Sequence, residues 1–477
     1  MTESSFLWHD FETFGADPRR DRPVQFAALR TNEALEPIGE PIVVYCQPDP
    51  DLLPQPQACL ITGITPQLAR DKGLSEPAFA AEIHAAMSQP GTCSVGYNNF
   101  RFDDEVTRYL FWRNFYEPYA REYSNGNSRF DLIDLMRMTR ALRPEGLEWA
   151  DREDGMPSFR LEDLAAANGL DTSRAHDALA DVEATLGLAR ALKTQQPRLW
   201  QWALSLRQKH VVARLLEPRQ PLLHSSARFP ASHFATAPIL PLLPHPDYAG
   251  QWIVWNLQID PEPFDGLSVD DLADRLWVSQ QDLPPGVERL PVKLVRTNRC
   301  PMLSPINVLD EAARERLDID PGRLEQHARK LAERPELLER IRRLFSQSKN
   351  ESLAVDPEQA LYDGFVSRSD QALYASVREA DPDTLTRLGQ PFQDDRLNEL
   401  LFRYRARKYP DSLDEDEATR WQEFRARRLF HDPELASIQW PGFEAEMHEL
   451  MRQRPDQRPL LEALAEWGQA VKLRNPG

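Results

Sequence analysis

Asp10-Phe11-Glu12-Thr13 sets two carboxylates two residues apart, directly after the apolar run Ser5 to His9. Alternate residues of a strand share a face, so Asp10 and Glu12 point the same way. Two acids held together at a strand end repel each other unless a cation lies between them. Hard oxygen donors of this kind suit Mg²⁺ or Mn²⁺. A second set, Asn98-Asn99-Phe100-Arg101-Phe102-Asp103, follows the short apolar run Cys93 to Tyr97. Asp103 opens a helical pattern, where it can cap the helix or bind metal; Asp104 and Glu105 read as first-turn acids favoured by the helix dipole. The third set is His176-Asp177-Ala178-Leu179-Ala180-Asp181. Five helical residues turn about 500°, which leaves His176 and Asp181 about 140° apart. That is not the geometry of two ligands on one metal. It suits a division of labour, with Asp181 reaching a metal from the helix body. His176, in the first turn or the loop before it, would act on a water. Taken singly, each set also has an ordinary structural reading: a solvated strand end, a helix cap, a histidine at a helix start.

The elements that must position these side chains form an α/β pattern. Ser5 to His9, Val24 to Thr31, Pro41 to Cys46 and Cys93 to Tyr97 read as strands. Pro77 to Gln89, Asp104 to Phe115, Leu161 to Ala167 and His176 to Leu192 read as helices. Strands alternating with helices imply one α/β domain. After Trp200 the texture changes. Residues 219–245 are rich in proline, Trp252 to Leu257 and Pro291 to Thr297 read as strands, and helical spacing returns from Glu311 to Phe345. From Pro357 onward the pattern is helical, with amphipathic stretches at Arg396 to Lys408 and Glu415 to Leu429.

The 477 residues carry a formal net charge of -18, split as -11 over residues 1–200, +1 over 201–350 and -8 over 351–477. An acidic total argues against a polybasic membrane-surface or histone-like protein. Locally, however, Arg207, Lys209, Arg214, Arg219 and Arg228 form one basic stretch, and Arg289, Lys293, Arg296 and Arg299 another. The N-terminus lacks the basic start and apolar stretch of a signal peptide, and no apolar run is long enough to span a membrane. Cys46, Cys59, Cys93 and Cys300 are scattered, without a C-x-x-C pair. They read as four reduced thiols in a cytoplasmic protein.

Together the three sets, D-x-E, N-x-x-x-F-D and H-x-x-x-x-D, resemble the motifs of the DEDDh 3′→5′ exonucleases, whose fold is RNase H-like. Further phrases narrow the resemblance to the bacterial exonuclease I family. They are Leu60-Ile61-Thr62-Gly63-Ile64-Thr65-Pro66, Gly96-Tyr97-Asn98-Asn99, Arg101-Phe102-Asp103-Asp104-Glu105, Ala141-Leu142-Arg143-Pro144-Glu145-Gly146, Pro157-Ser158-Phe159-Arg160-Leu161-Glu162, Pro291-Val292-Lys293-Leu294-Val295 and Leu361-Tyr362-Asp363-Gly364-Phe365. The resemblance implies an RNase H-like α/β exonuclease domain (1–196), an SH3-like β domain (197–350) and a C-terminal α-helical domain (351–477), which close into a C-shaped clamp.

It implies an exodeoxyribonuclease that releases 5′-mononucleotides processively from single-stranded DNA, in DNA repair and recombination. Two Mg²⁺ ions, or Mn²⁺, would sit on Asp10, Glu12, Asp103 and Asp181, with His176 as general base. DNA contacts are expected from Glu12, from Leu60, Thr62 and Gly63 in the loop Leu60 to Ile64, and from Arg108, Tyr119, Tyr123, Arg137, Phe159 and Arg160, since single-strand channels combine cations with aromatic platforms. The family also binds the acidic C-terminal tail of single-stranded DNA-binding protein, for which Arg143 is the candidate contact. A monomer is expected. Two other readings stay open at this point: a related proofreading exonuclease or oligoribonuclease, and a catalytically silent DNA-end binder.

Overall fold

The computed structural model describes residues 4–173, 176–279, 281–347 and 355–475. It divides into two compact units. One comprises Met1–Ser128, Asp171–Leu186 and Ser352–Gly477; the other comprises Arg129–Leu170 and Gly187–Glu351.

In the first unit, β1 (Ser5–Thr13), β2 (Pro23–Thr31), β3 (Ile42–Tyr45) and β4 (Thr92–Gly96) lie in the order β3-β2-β1-β4. β1 runs antiparallel to β2 and parallel to β4, with Trp8 opposite Val95. β1 is longer than its apolar run suggests. Pairing with β2 continues through Asp10 opposite Ala27 and Glu12 opposite Gln25 before the register slips at Thr13. The two acids therefore sit on hydrogen-bonded strand rather than on a loose end. The helices α1 (Pro56–Thr62), α2 (Pro66–Lys72), α3 (Glu76–Met87) and α4 (Asp103–Arg113) follow. Phe79, Ile83, Val106, Leu110 and Phe111 from α3 and α4 pack on Leu7, Phe11 and Phe26 of the sheet. Each such side chain contributes about 1.5–3 kcal/mol by leaving water, so the strand carrying Asp10 and Glu12 is firmly held. The helix Ala178–Gln195 begins two residues later than the sequence predicts.

The C-terminal helices of this unit include Asp395–Lys408, Glu415–Ala426, Trp440–Gln453 and Arg458–Arg474. They meet the N-terminal elements through unusual chemistry. Glu358, fully buried, accepts from Arg22 Nη2 and Arg407 Nη2, both at 2.6 Å, and lies 3.0 Å from Arg428 Nη2. Asp51, also fully buried, binds Arg407 Nη2 at 2.7 Å and Arg428 Nη1 at 2.8 Å, while Asp49 receives Arg22 Nε at 2.7 Å. The arginines hold the carboxyls of Glu358 and Asp51 well below the usual range against the opposing cost of burial.

In the second unit five antiparallel strands run in the spatial order Met302–Pro305, Leu222–Ser225, Thr236–Pro244, Gln251–Asn256, Val292–Arg296. Two of them lie in the proline-rich stretch that shows no strand signal. Proline removes a ladder donor and is tolerated at irregularities; here the register slips between Pro241 and Leu243. The single helical stretch expected over Glu311 to Phe345 is three helices, Glu311–Arg316, Pro321–Ala332 and Pro335–Gln347, restarted by Pro321 and Pro335. The four cysteines are buried and unbridged. Among the described residues no helix is long and apolar enough to cross a membrane.

Candidate active site

The site forms where β1, α4 and the helix Ala178–Gln195 converge. Carboxylate oxygens of Asp10, Glu12 and Asp181 all lie within 4.8 Å of one another. Asp103, the first residue of α4, accepts the backbone N–H of Phe11 through Oδ1 at 3.1 Å. Because that N–H belongs to the residue between Asp10 and Glu12, the bond ties the fourth carboxylate to the same strand. The approach needs a glycine. A Cβ at Gly96, the last residue of β4, would lie 2.7 Å from Asn99 Cβ and 3.2 Å from the carbonyl oxygen of His9.

Electrostatics mark the cluster as incomplete without a cation. Burial, then the charges of Asp103, Glu12 and Asp181, push the carboxyl of Asp10 well above its ordinary range. Burial, then Asp181, Asp103 and Asp177, raise Glu12 to about 8. Asp103 rises to about 7, chiefly through burial, against hydrogen bonds that hold it down. The three carboxylates at this spacing, with Asp103 tied to the same strand, fit a hard divalent cation. An acid whose pKa is raised by folding binds protons more tightly folded than unfolded, so its contribution to stability declines as pH climbs from about 4 towards the folded values. In EDTA, thermal unfolding should therefore occur at lower temperature at pH 8 than at pH 5.5, and a divalent cation should restore more at pH 8. A cation-induced shift of equal size at both values would contradict this account of the cluster.

His176 lies in the exposed turn just before the helix, not in its first turn, and is held at φ 67°, a left-handed conformation uncommon for a residue with a Cβ. Asp177 caps the helix, accepting the N–H of Ala180 at 3.1 Å. Leu60 and Thr62 are not in a loop: they form the last turn of α1, closed by Gly63 at φ 69°. A side chain at Gly63 would meet nothing within 4 Å, and the neighbouring Ile61 is half exposed. Arg108 does not present an open phosphate contact. It is buried, with Nε and Nη2 on Glu122 at 2.8 and 3.0 Å and Nη1 on Glu105 at 2.5 Å, and it stacks over Tyr119. Glu105, read as a first-turn acid, is thus an ion-pair partner. Tyr119 is half-buried and Tyr123 is exposed.

The remaining predicted contacts belong to the second unit. Arg137 is buried, pairs with Asp134 and stacks over Phe159. Arg160 is exposed, 3.7 Å from Glu162. Arg143 is partly exposed; its Nη2 donates to the carbonyl of Val308 at 2.8 Å and its Nη1 lies 3.2 Å from Asp310. Lys209, Arg214, Arg219, Arg228 and Arg289 of the basic stretches are exposed.

Sequence reasoning missed what lies behind the carboxylates. Asp104, taken for a dipole acid, is fully buried against Arg121, whose Nη2 donates to its Oδ1 at 2.6 Å. His9 is buried with its ring stacked on Phe26, and burial lowers its pKa to about 3. The signal available was the doublet Asp103-Asp104 at the start of a helix whose sequence runs on through Val106, Tyr109, Leu110, Phe111 and Trp112.

Known proteins were compared with this chain. Residues 7–189 match the family model described as Exonuclease, 207–347 the Exonuclease I SH3-like domain and 355–471 the Exonuclease I C-terminal domain. The chain is 44% identical to exodeoxyribonuclease I of Escherichia coli over 98% of both chains, and 40% identical to that of Haemophilus influenzae over 99% of both. Among solved structures, E. coli exonuclease I in complex with a dA16 oligonucleotide superposes with a TM-score of 0.93 at 44% identity, covering 98% of this chain and 100% of that one. A zinc-bound form of the E. coli enzyme with single-stranded DNA gives 0.92 at 43% identity, covering 98% and 100%. A complex described as SSB/exonuclease I with an inhibitor gives 0.89 at 43%, with the same coverage.

Proposed function

Since the chain belongs to the exonuclease I family and is an exodeoxyribonuclease, we propose that it degrades single-stranded DNA processively from the 3′ end. Mg²⁺ would sit at Asp10, Glu12, Asp103 and Asp181, and 5′-mononucleotides would be released. The observation that carries this reading is the convergence of the carboxylates, three of them with oxygens within 4.8 Å. The oligonucleotide complexes of the E. coli relative support the substrate.

Two divalent ions bound there would neutralise the scissile phosphate and stabilise the attacking and leaving oxygens. The protein's own part is orientation and proton transfer. The Phe11 N–H holds the Asp103 carboxylate, through Oδ1, to the strand that carries Asp10 and Glu12. His176, in an exposed turn beside the capping Asp177, takes the proton of the attacking water. Tyr123, Phe159 and Arg160, with the end of α1 at Leu60, Thr62 and Gly63, are the proposed strand contacts, stacking on bases and pairing with phosphate. Glu12 serves the metal and faces the terminal nucleotide. The division at residues 196 and 350, a monomeric state and a cytoplasmic role in DNA repair and recombination complete the reading.

A time course on a long 5′-labelled single strand, with an excess of unlabelled trap and with or without Mg²⁺, tests polarity, metal need and processivity together. Mg²⁺-dependent shortening from the 3′ end that survives the trap is expected. Products from the 5′ end, or activity in EDTA, would refute the reading.

The neighbour containing SSB supports a second contact. The partly exposed Arg143 is assigned to the carboxylate of the tail of single-stranded DNA-binding protein. Arg143→Ala should weaken binding of an acidic tail peptide by about 10- to 100-fold, as loss of a charge-assisted hydrogen bond worth about 1.5–3 kcal/mol requires, with nuclease activity on free DNA unchanged. Fluorescence anisotropy with labelled peptide measures it; unaltered affinity removes the assignment.

A further inference from the structure

We propose that Arg121 is a positioning residue for the metal-binding carboxylates, acting through Asp104. The inference rests on the reading of Asp10, Glu12, Asp103 and Asp181 as a divalent-cation site. Arg121 and Asp104 are both fully buried, and the Nη2–Oδ1 distance is 2.6 Å. A buried charge without a partner costs several kcal/mol, so this pair has little freedom to separate.

What the pair fixes is the start of α4. Asp104 donates its backbone N–H to the carbonyl of Asn99 at 2.9 Å, and Phe102 donates to the same carbonyl at 3.3 Å. Asn98, the residue just before the turn they close, is in a left-handed conformation at φ 63°. One residue before Asp104, Asp103 meets the Phe11 N–H. A shift of Asp104 along the helix axis would therefore move Asp103 off β1. Arg121 also acts on Asp103 directly, as the cation whose field opposes its burial.

The surroundings suit a positioning device rather than a generic core. Among the described residues, Arg121 Nε and Nη1 have no hydrogen-bond acceptor, and both nitrogens of His9, Ser94 Oγ and the Asn99 amide are buried without a hydrogen-bond partner. An apolar replacement would give a simpler core and is often more stable than a buried pair. Of these groups His9 lies on β1, next to Asp10, and Ser94 lies on the adjoining β4. Fixing a ligand carboxylate within about 0.5 Å is what such supporting groups do.

The test uses full-length Arg121→Lys, which keeps the charge but not the planar fork, and Asp104→Asn, which keeps the shape. Three quantities are compared with wild type: Mn²⁺ affinity by electron paramagnetic resonance without DNA, the Mg²⁺ concentration for half-maximal activity, and kcat against KM for a single strand. For Arg121→Lys, Mn²⁺ affinity should fall and the Mg²⁺ midpoint rise about tenfold, with kcat reduced and KM unchanged. Asp104→Asn should shift the midpoint about threefold in the same sense. A folded variant of either kind with wild-type Mn²⁺ affinity and midpoint overturns the proposal, even if its thermal stability is lower. Loss of fold in both variants assigns the pair to stability alone and overturns it as well. An inactive wild type would instead sink the underlying reading.

Discussion

His176→Ala should lower turnover on single-stranded DNA by about 100- to 10,000-fold, the usual worth of a positioned general base. Affinity for the strand should stay within about threefold of wild type. The split follows from where the residue sits. His176 lies in an exposed turn outside the helix that carries Asp181, and its removal leaves the four carboxylates in place. The ligands and the base therefore fail differently. Asp181→Asn removes one negative charge from a cluster whose oxygens lie within 4.8 Å of one another. Its defect should appear as a higher Mg²⁺ requirement, partly recovered by raising the metal concentration; that of His176→Ala should not be recovered. Steady-state kinetics across a Mg²⁺ titration, with strand affinity measured by anisotropy in EDTA, separate the two. Normal turnover in His176→Ala would remove the base assignment.

The second large effect is on stability. Glu358→Gln should destabilise the first unit by about 3–5 kcal/mol, the cost of breaking a buried pair from one side. Glu358 is fully buried and touches Arg22, Arg407 and Arg428 at 2.6, 2.6 and 3.0 Å. A neutral amide leaves those cations one charge short, and it brings two N–H groups into a cluster of donors. Because the carboxyls of Glu358 and Asp51 lie well below the usual range, their contribution is complete above the unfolded carboxylate pKa of about 4 and is lost as pH falls below it. The variant should thus lose its deficit relative to wild type in strong acid. Urea denaturation at pH 7 and pH 3 measures both quantities. A deficit under 1 kcal/mol at pH 7 would show that the other acids compensate.

Much of the site was legible because its information is local. Asp10 and Glu12 are read from strand alternation, Asp103 from the opening of a helical pattern, and Asp181 from its place in the body of the helix that follows His176. Non-local features were not legible. Arg108, expected as a DNA contact, is consumed by Glu105 and Glu122. Arg22 and Glu358 lie 336 residues apart and look like surface charges until the fold brings them together. The strands Leu222–Ser225 and Thr236–Pro244 were hidden by prolines that the ladder accommodates at a register slip. The stretch Leu60 to Ile64 is not the loop that the resemblance implies: Gly63 ends a helix of seven residues.

The discontinuity of the first unit has a consequence for synthesis. Arg22, Asp49 and Asp51 leave a ribosome long before Glu358, Arg407 and Arg428 exist. Until those later residues emerge, the early segment carries charges that can be buried only at high cost, and it is better left solvated. The ion cluster that joins the N-terminal elements to the C-terminal helices therefore closes late, once those helices have been translated. A partial product, cut short before residue 358, should be open to proteolysis.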